Sequence, residues 1–290
     1  MPELPEVETI RRGLEPEIAG RRFERVTIHH PHVTGGMPAR AFAALVAGRR
    51  VEQLWRRGKY LVFDLRGPAP EASPLHLVCH LRMTGRLRYL APGARWTEAA
   101  AHTHATFRVE GGGRLIFHDV RKFGRLTVVA PEALPGVLPA GRDPVSDGLA
   151  PDQLRAALAG RSGGCKALLL RQDLVCGLGN IYADEALHRA GLHPERRADG
   201  LRPGELGRLA DAIRAVLAEA LAFRGTTLWD YRTGDGDRGA FGRYLRVYGR
   251  GGLPCRACGT AIATLRAAGR TSAYCPRCQP RDPPPQAMPV

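Results

Sequence analysis

Lysine is nearly absent from this chain of 290 residues: of 43 lysine and arginine residues only Lys59, Lys122 and Lys166 are lysine. Arginine stays charged and brings a wide planar fork, so a surviving lysine can mark a place where a compact ammonium with a movable pKa is needed. Codon drift with three chance survivors is the competing reading. Long apolar runs are also missing. No uncharged stretch reaches the ~20 residues that span a bilayer. Glu3, Glu6, Glu8, Arg11 and Arg12 interrupt the N-terminus where a secretory signal would need an apolar core. The expected compartment is the cytoplasm, where seven cysteines read as metal ligands or small buried hydrophobes rather than disulfides. Acidic residues fall short as well. There are 28 against 43 basic ones, a formal charge of +15, and such a surplus calls for a polyanion. DNA or RNA is the first candidate; no basic amphipathic helix with an aromatic face supports an anionic membrane.

What is present reads as two domains, the natural division for this length. Residues 5–19 read as a helix, with Pro5 suited to its first turn, Glu6 and Glu8 at its positive end, and Val7, Ile10, Leu14 and Ile18 on one face. From 22 to 130 the pattern turns to short β-type runs at 22–30, 51–55, 60–66, 75–81, 104–109, 113–118 and 125–130, which predict an antiparallel sandwich. The Pro- and Gly-rich stretch 131–148 lacks any period and reads as a linker. Helices are expected at about 151–159, 164–174, 179–190 and 204–223. There is no internal repeat, and the Pro-rich residues 280–290 are expected to be disordered.

The strongest local signal is Cys255-x-x-Cys258 followed by Cys275-x-x-Cys278. Two such pairs about a hairpin apart supply four thiolates to a tetrahedral Zn²⁺, a closed and therefore structural site. A redox dithiol or unrelated buried cysteines are the alternatives. Between the pairs, Arg270 follows a glycine turn that would let it reach a phosphate. At the other end of the chain, removal of Met1 would expose the secondary amine of Pro2 beside the carboxylate of Glu3. An α-amino group titrates near pH 8, well below a lysine side chain, so part of it is a neutral nucleophile at pH 7. Its adduct with a sugar aldehyde is an iminium that cannot lose a proton from nitrogen. That makes it an electron sink for elimination.

The opening MPELPEVETIRRGL resembles the N-terminus of the formamidopyrimidine-DNA glycosylase and endonuclease VIII family, on its oxidised-purine branch. Further blocks agree in order: RRGKYL at 56–61, HLRMTG at 80–85, HDVRKFG at 118–124, GLGNIYADE at 177–185 and GTTLWDYRTGDGDRGAFGRYLRVYGR at 225–250, closed by the cysteine module. The resemblance covers nearly the whole chain. It implies an α+β multidomain fold, a β-sandwich with an N-terminal catalytic helix over 1–130 and, past the linker 131–148, a helix-two-turn-helix DNA-binding domain over 149–224. A lesion-capping loop and connection would occupy 225–250 and a zinc-ribbon β-hairpin 251–279, with DNA in a basic cleft between the domains. The implied activity is that of a bifunctional glycosylase and abasic-site lyase acting on double-stranded DNA with oxidised purines, as a monomer carrying one structural zinc.

Residue by residue, the resemblance implies Pro2 as nucleophile, Glu3 as acid and base, Glu6 as support, and Lys59 at a phosphate next to the reacting sugar. Arg270 joins this catalytic group. An enzyme that works on a base must extrude it and fill the hole, and Met83, Arg121 and Phe123 match the void-filling set. Core packing is the plain reading of Met83 and Phe123 on periodicity. His76 and Asn180 match phosphate contacts, with a satisfied buried histidine and a helix N-cap as their ordinary alternatives. Lys166 matches a lysine near the damaged base, and the Gly-rich loop 226–241 a lid over it. Arg171, Arg82 and Cys79 depart from the family pattern. Pyrimidine repair of the endonuclease VIII kind, and a zinc-ribbon DNA-binding protein without catalysis, stand as the rival readings.

Overall fold

The computed structural model describes residues 2–69, 71–226 and 239–281. It divides into two units, 1–139 with 220–242, and 140–219 with 243–290. The boundary inside the expected linker therefore falls at 139/140. Residues 220–224, which the sequence places with the second domain, pack with the first.

The first unit opens with helix α1 (Leu4–Ile18), whose Val7, Ile10, Leu14 and Ile18 are buried as the 3.6-residue period demands. Strand β1 (Phe23–Ile28) and helix α2 (Ala39–Val46) follow, then strands β2 (Arg50–Arg57), β3 (Tyr60–Arg66), β4 (Leu75–His80), β5 (Gly85–Leu90), β6 (Thr103–Val109), β7 (Arg114–Asp119) and β8 (Arg125–Val129). They form two antiparallel four-stranded sheets in the orders β1-β6-β7-β5 and β2-β3-β4-β8. One apolar core joins them: Phe23 lies 6.2 Å from Phe63 of the other sheet and 5.1 Å from Phe107 of its own, measured between ring centroids. Helix α2 adds Phe42 and Val46 to that core.

A short turn, α3 (Leu134–Val137), precedes the second unit. That unit holds helices α4 (Pro151–Leu158), α5 (Cys165–Leu169), α6 (Asn180–Ala190) and most of α7 (Pro203–Ala222), then a hairpin of β9 (Ala263–Ala267) and β10 (Arg270–Tyr274). The helix expected over 164–174 stops after five residues. Two tight turns follow it, pinned by Gln172, whose amide donates to Leu170 O and Leu178 O and accepts from Gly177 N–H, each at 2.9 Å. Of the tail 280–290, residues 282–290 lie outside the described residues. Among the described residues no helix is long and apolar enough to cross a membrane.

Phe107 is fully buried between the two sheets. Phe107→Ala is expected to destabilise the first unit by about 3–5 kcal/mol, read as a lower urea midpoint at unchanged slope.

Candidate active site and zinc hairpin

The start of α1 concentrates buried polar groups. Pro2 and Glu3 are both buried, and Glu3 takes the extended N-cap conformation. Free N–H groups and the positive end of the helix dipole favour carboxylates there. Glu6 Oε2 accepts the Glu3 N–H at 2.9 Å. Its other oxygen, Oε1, accepts the N–H and the hydroxyl of Thr226 at 2.8 and 3.0 Å. Glu6 is thus a brace, with both oxygens engaged. Gly225 has a φ of +82°, and a Cβ on it would meet Glu6 Oε1 at 2.7 Å, so glycine is required twice over. Across from it, Ala240 N–H donates to Phe223 O and Phe241 N–H to Gly225 O. The two stems of the expected lid therefore meet at the helix start. The span 227–238 of that lid lies outside the described residues.

Lys59 sits with Gly58 in the two-residue turn between β2 and β3, where Gly58 adopts the left-handed φ of +56°. The lysine is buried rather than a free surface cation. Arg56 ties this turn to the helix: its Nε pairs with Glu8 Oε2 at 3.1 Å and its Nη1 donates to Gly58 O at 3.0 Å. Burial pushes the Glu8 carboxyl up, but hydrogen bonds from Arg11 and Arg12 and the nearby Arg56 charge outweigh it, leaving Glu8 below the ordinary range. His80 is pushed down to about 3 by burial and then by the charges of Arg82 and Lys59, so it stays neutral at working pH. Its Nδ1 accepts the Arg82 N–H at 3.0 Å, which shapes the turn carrying Met83.

Met83 and Phe123 are 42% and 47% exposed, so the core-packing reading of both is wrong. The sequence pattern could not show this because each lies on a turn between two strands, where alternation no longer says which face is covered. The Arg121 guanidinium lies over the Phe123 ring at 4.8 Å. The turn of Met83 and the turn of Arg121 and Phe123 are joined by the hydrogen bond of Thr84 to Asp119. His76 is partly buried, its Nδ1 held 2.7 Å from Asp64 Oδ1, which also accepts the Trp55 indole N–H. Of the departures from the family pattern, Arg82 takes a left-handed φ of 55° and Cys79 is fully buried.

In the second unit two of the residues expected at DNA have partners within the protein. Lys166 is fully buried and its Nζ lies 2.7 Å from Asp184 Oδ1, so its ammonium faces a carboxylate of the same unit. A buried ammonium without such a partner would be too costly to remain charged. Asn180 is not the N-cap, a place taken by Gly179; its amide donates to Thr271 O at 3.1 Å, on the zinc hairpin. Lys166 Nζ reaches the same carbonyl at 3.2 Å. Asp184 completes the dock by accepting the Ser272 hydroxyl at 2.7 Å and the Ala273 N–H at 3.0 Å. The next residue, Glu185, is buried too and accepts the N–H groups of Arg246, Val247 and Tyr248, each at 2.9 Å. Neither carboxylate was singled out from sequence, although both lie in the GLGNIYADE block. Arg171, the remaining departure, pairs with Asp173 on the surface.

Arg270 is exposed at the start of β10, after the left-handed pair Ala268 and Gly269 that makes the tight hairpin turn. The four sulfurs of Cys255, Cys258, Cys275 and Cys278 lie within 4.8 Å of one another. The separations of Cys258 from Cys275 and Cys278 are 3.4 and 3.5 Å, and that of Cys255 from Cys278 is 4.0 Å. A regular tetrahedron with Zn–S bonds of about 2.3 Å has edges of about 3.8 Å, so the donor set fits one Zn²⁺ without rearrangement. Backbone N–H groups of Ala257 and Cys278 point at Cys255 Sγ and Cys275 Sγ, each at 3.4 Å, as thiolate ligands require.

Two outcomes are expected. Metal analysis of the purified protein gives one zinc per chain, and Cys258→Ser loses it together with the hairpin's amide-exchange protection. Asp184→Ala strands the buried ammonium of Lys166 and destabilises the second unit by about 3–5 kcal/mol, measurable by chemical denaturation.

Three family models match the chain: formamidopyrimidine-DNA glycosylase N-terminal domain over residues 1–126, formamidopyrimidine-DNA glycosylase H2TH domain over 140–231, and zinc finger found in FPG and IleRS over 252–281. The formamidopyrimidine-DNA glycosylase of Heliobacterium modesticaldum is 47% identical over 282 residues, which is 96% of this chain and 100% of that one. Among solved structures, the MutM (Fpg) protein of Thermus thermophilus superposes with a TM-score of 0.83 at 42% identity, covering 97% of this chain and 100% of that one. A point mutant of Lactococcus lactis Fpg, in complex with a Fapy-dG containing DNA, gives a TM-score of 0.85 at 34% identity over 96% of this chain and 100% of that one. With both its domains and its zinc hairpin matched, the chain belongs to the formamidopyrimidine-DNA glycosylase family.

Proposed function

We propose that this protein excises oxidised purines such as 8-oxoguanine and formamidopyrimidines from duplex DNA and then cleaves the abasic strand as a lyase. One observation carries the reading: two apolar side chains and a guanidinium, Met83, Phe123 and Arg121, stand in solvent on neighbouring turns of the unit that holds Pro2 and Glu3. Folding alone gives no reason to expose that set on a protein of charge +15. A gap left by an extruded nucleotide does, with the guanidinium facing the orphaned cytosine. Relatives have been captured on DNA containing Fapy-dG and on DNA containing an abasic site, the substrate and the intermediate of such a reaction.

Once Met1 is removed, the Pro2 amine attacks C1′ of the extruded deoxyribose and the bond from C1′ to the base nitrogen breaks. Glu3 and Lys59 handle the protons of base departure and ring opening, which leaves C1′ doubly bonded to the Pro2 nitrogen as an iminium. Loss of a proton from C2′ expels the 3′ phosphate. A second elimination expels the 5′ phosphate, and water then releases the sugar fragment and restores Pro2. Lys59 suits this place because a buried ammonium can both hold a phosphate and give up a proton. Glu6 fixes the helix start on which Pro2 and Glu3 stand, and Arg270, His76 and Asn180 contact the DNA backbone. The zinc takes no part in these steps; its thiolates hold the hairpin that presents Arg270. The enzyme works as a monomer in the cytoplasm, where four unpaired thiolates remain available to a metal.

Sodium borohydride should trap a covalent adduct of protein and lesion-containing duplex. Pro2→Gly, or protein retaining Met1, should lose base excision while still binding the duplex. Full-speed cutting by chains that keep Met1 would overturn the proline chemistry. Thymine glycol excised faster than 8-oxoguanine opposite cytosine would favour the endonuclease VIII reading, and the absence of any adduct a non-catalytic binder.

A further inference from the structure

Met83 stands on the turn after β4, and Arg121 and Phe123 on the turn after β7, so the three side chains that share one proposed task come from segments some forty positions apart. One fully buried side chain joins them. Asp119 Oδ1 accepts the hydroxyl of Thr84, the neighbour of Met83, and also the Arg121 N–H at 3.2 Å. Asp119 Oδ2 accepts the Gly124 N–H at 2.7 Å. The Thr84 oxygen in turn accepts the Arg121 N–H at 3.2 Å, so this amide is shared between the two turns. From behind, the Asp119 carbonyl accepts the ring N–H of buried His104, at 2.7 Å. Little room is left for adjustment: a Cβ on Gly124 would meet Phe117 at 2.4 Å and Asp119 Oδ2 at 3.1 Å, and one on Gly85 would meet Leu81 O at 2.4 Å.

We infer that Asp119 is a positioning residue which, through Thr84, locks the two turns into a single insertion unit, so that Met83, Arg121 and Phe123 enter the helix together and in register. It touches neither base nor sugar. The inference rests on the void-filling role proposed above, and the variants separate the two claims. Thr84→Val removes the hydroxyl at nearly constant volume, Thr84→Ser keeps it, and Asp119→Asn removes the charge. A duplex with 8-oxoguanine opposite cytosine has a gap to fill, whereas a single strand with an abasic site has none.

Single-turnover excision from the duplex is expected to fall about 10- to 100-fold in Thr84→Val and Asp119→Asn, the scale of losing a hydrogen bond to a charged group. Thr84→Ser should stay near wild type, and cleavage of the single-stranded abasic site should change in none of them. A 2-aminopurine beside the lesion should report slower unstacking in the same two variants. Wild-type duplex rates in Thr84→Val, or equal losses on both substrates, would overturn the coupling. If Asp119→Asn does not fold, Thr84→Val and its serine counterpart decide the matter. Should a Met83→Ala, Phe123→Ala double variant excise at the wild-type rate, the void-filling reading fails and takes the inference with it. Should the double variant be slow while Thr84→Val is not, only the Asp119 coupling fails.

Discussion

A carboxylate taken out of water must be given donors, or it cannot remain charged, and in this protein the donors come from the segments that bear function. Glu6 receives the N–H groups of Glu3 and Thr226, which ties the start of α1 to the stem of the loop beyond residue 226. Asp119 receives those of Arg121 and Gly124, Asp184 that of Ala273, and Glu185 three consecutive ones from 246–248. Apart from Ala273, which lies in β10, these amides belong to short irregular stretches outside the helix and sheet ladders. Without the carboxylate those amides would turn to water and the stretch would lose its single conformation. The requirement runs both ways, since the loop satisfies the acid and the acid shapes the loop.

This arrangement also bears on the charge of the molecule. The acidic groups that organise these turns are already counted in the formal charge of +15, so the field around the molecule stays positive. Such a field speeds encounter with a polyanion and holds it without regard to sequence. Discrimination must then come from the few groups that meet the extruded nucleotide. The three lysines fall on different sides of this division. Lys166 is sealed against Asp184 in a space that a planar guanidinium would have to enlarge, and Lys59 is buried at a hairpin tip. Lys122 is exposed, and nothing in the structure explains why it is lysine.

Elements whose pattern reports their own burial were legible in the sequence. Helix α1, the seven strands read from alternation, and the zinc ligands needed only local period and spacing. Strand β5 was passed over because GRLRYL spends a third of its length on arginine and begins inside the plug motif, and α2 because two buried residues four apart make no visible period. The residues proposed to fill the void were reached through motif resemblance, while their exposure was not legible, since a methionine and a phenylalanine beside β-type runs look like core. The buried acids were missed for a more general reason. Asp119, Asp184 and Glu185 gain their roles from partners that lie far away in sequence, such as Thr84, Ser272 and Val247, and a one-dimensional pattern carries no trace of those pairings.

The two turns also store backbone strain. Arg82 and Lys122 each hold a positive φ, near 55° and 59°, where a side chain costs about 1–2 kcal/mol relative to the right-handed region. Glycine at either position would remove that strain, but it would widen the range of turn conformations open before DNA arrives. A turn that samples many shapes must be ordered at the moment of insertion, and that ordering subtracts directly from binding free energy. Keeping a strained residue with a side chain at each turn therefore transfers the ordering to folding, where the sandwich core and the Asp119 network hold it. In the proposed role, the exposed apolar side chains would then meet the duplex already aimed, the protein giving up a little stability to lower the barrier to nucleotide extrusion.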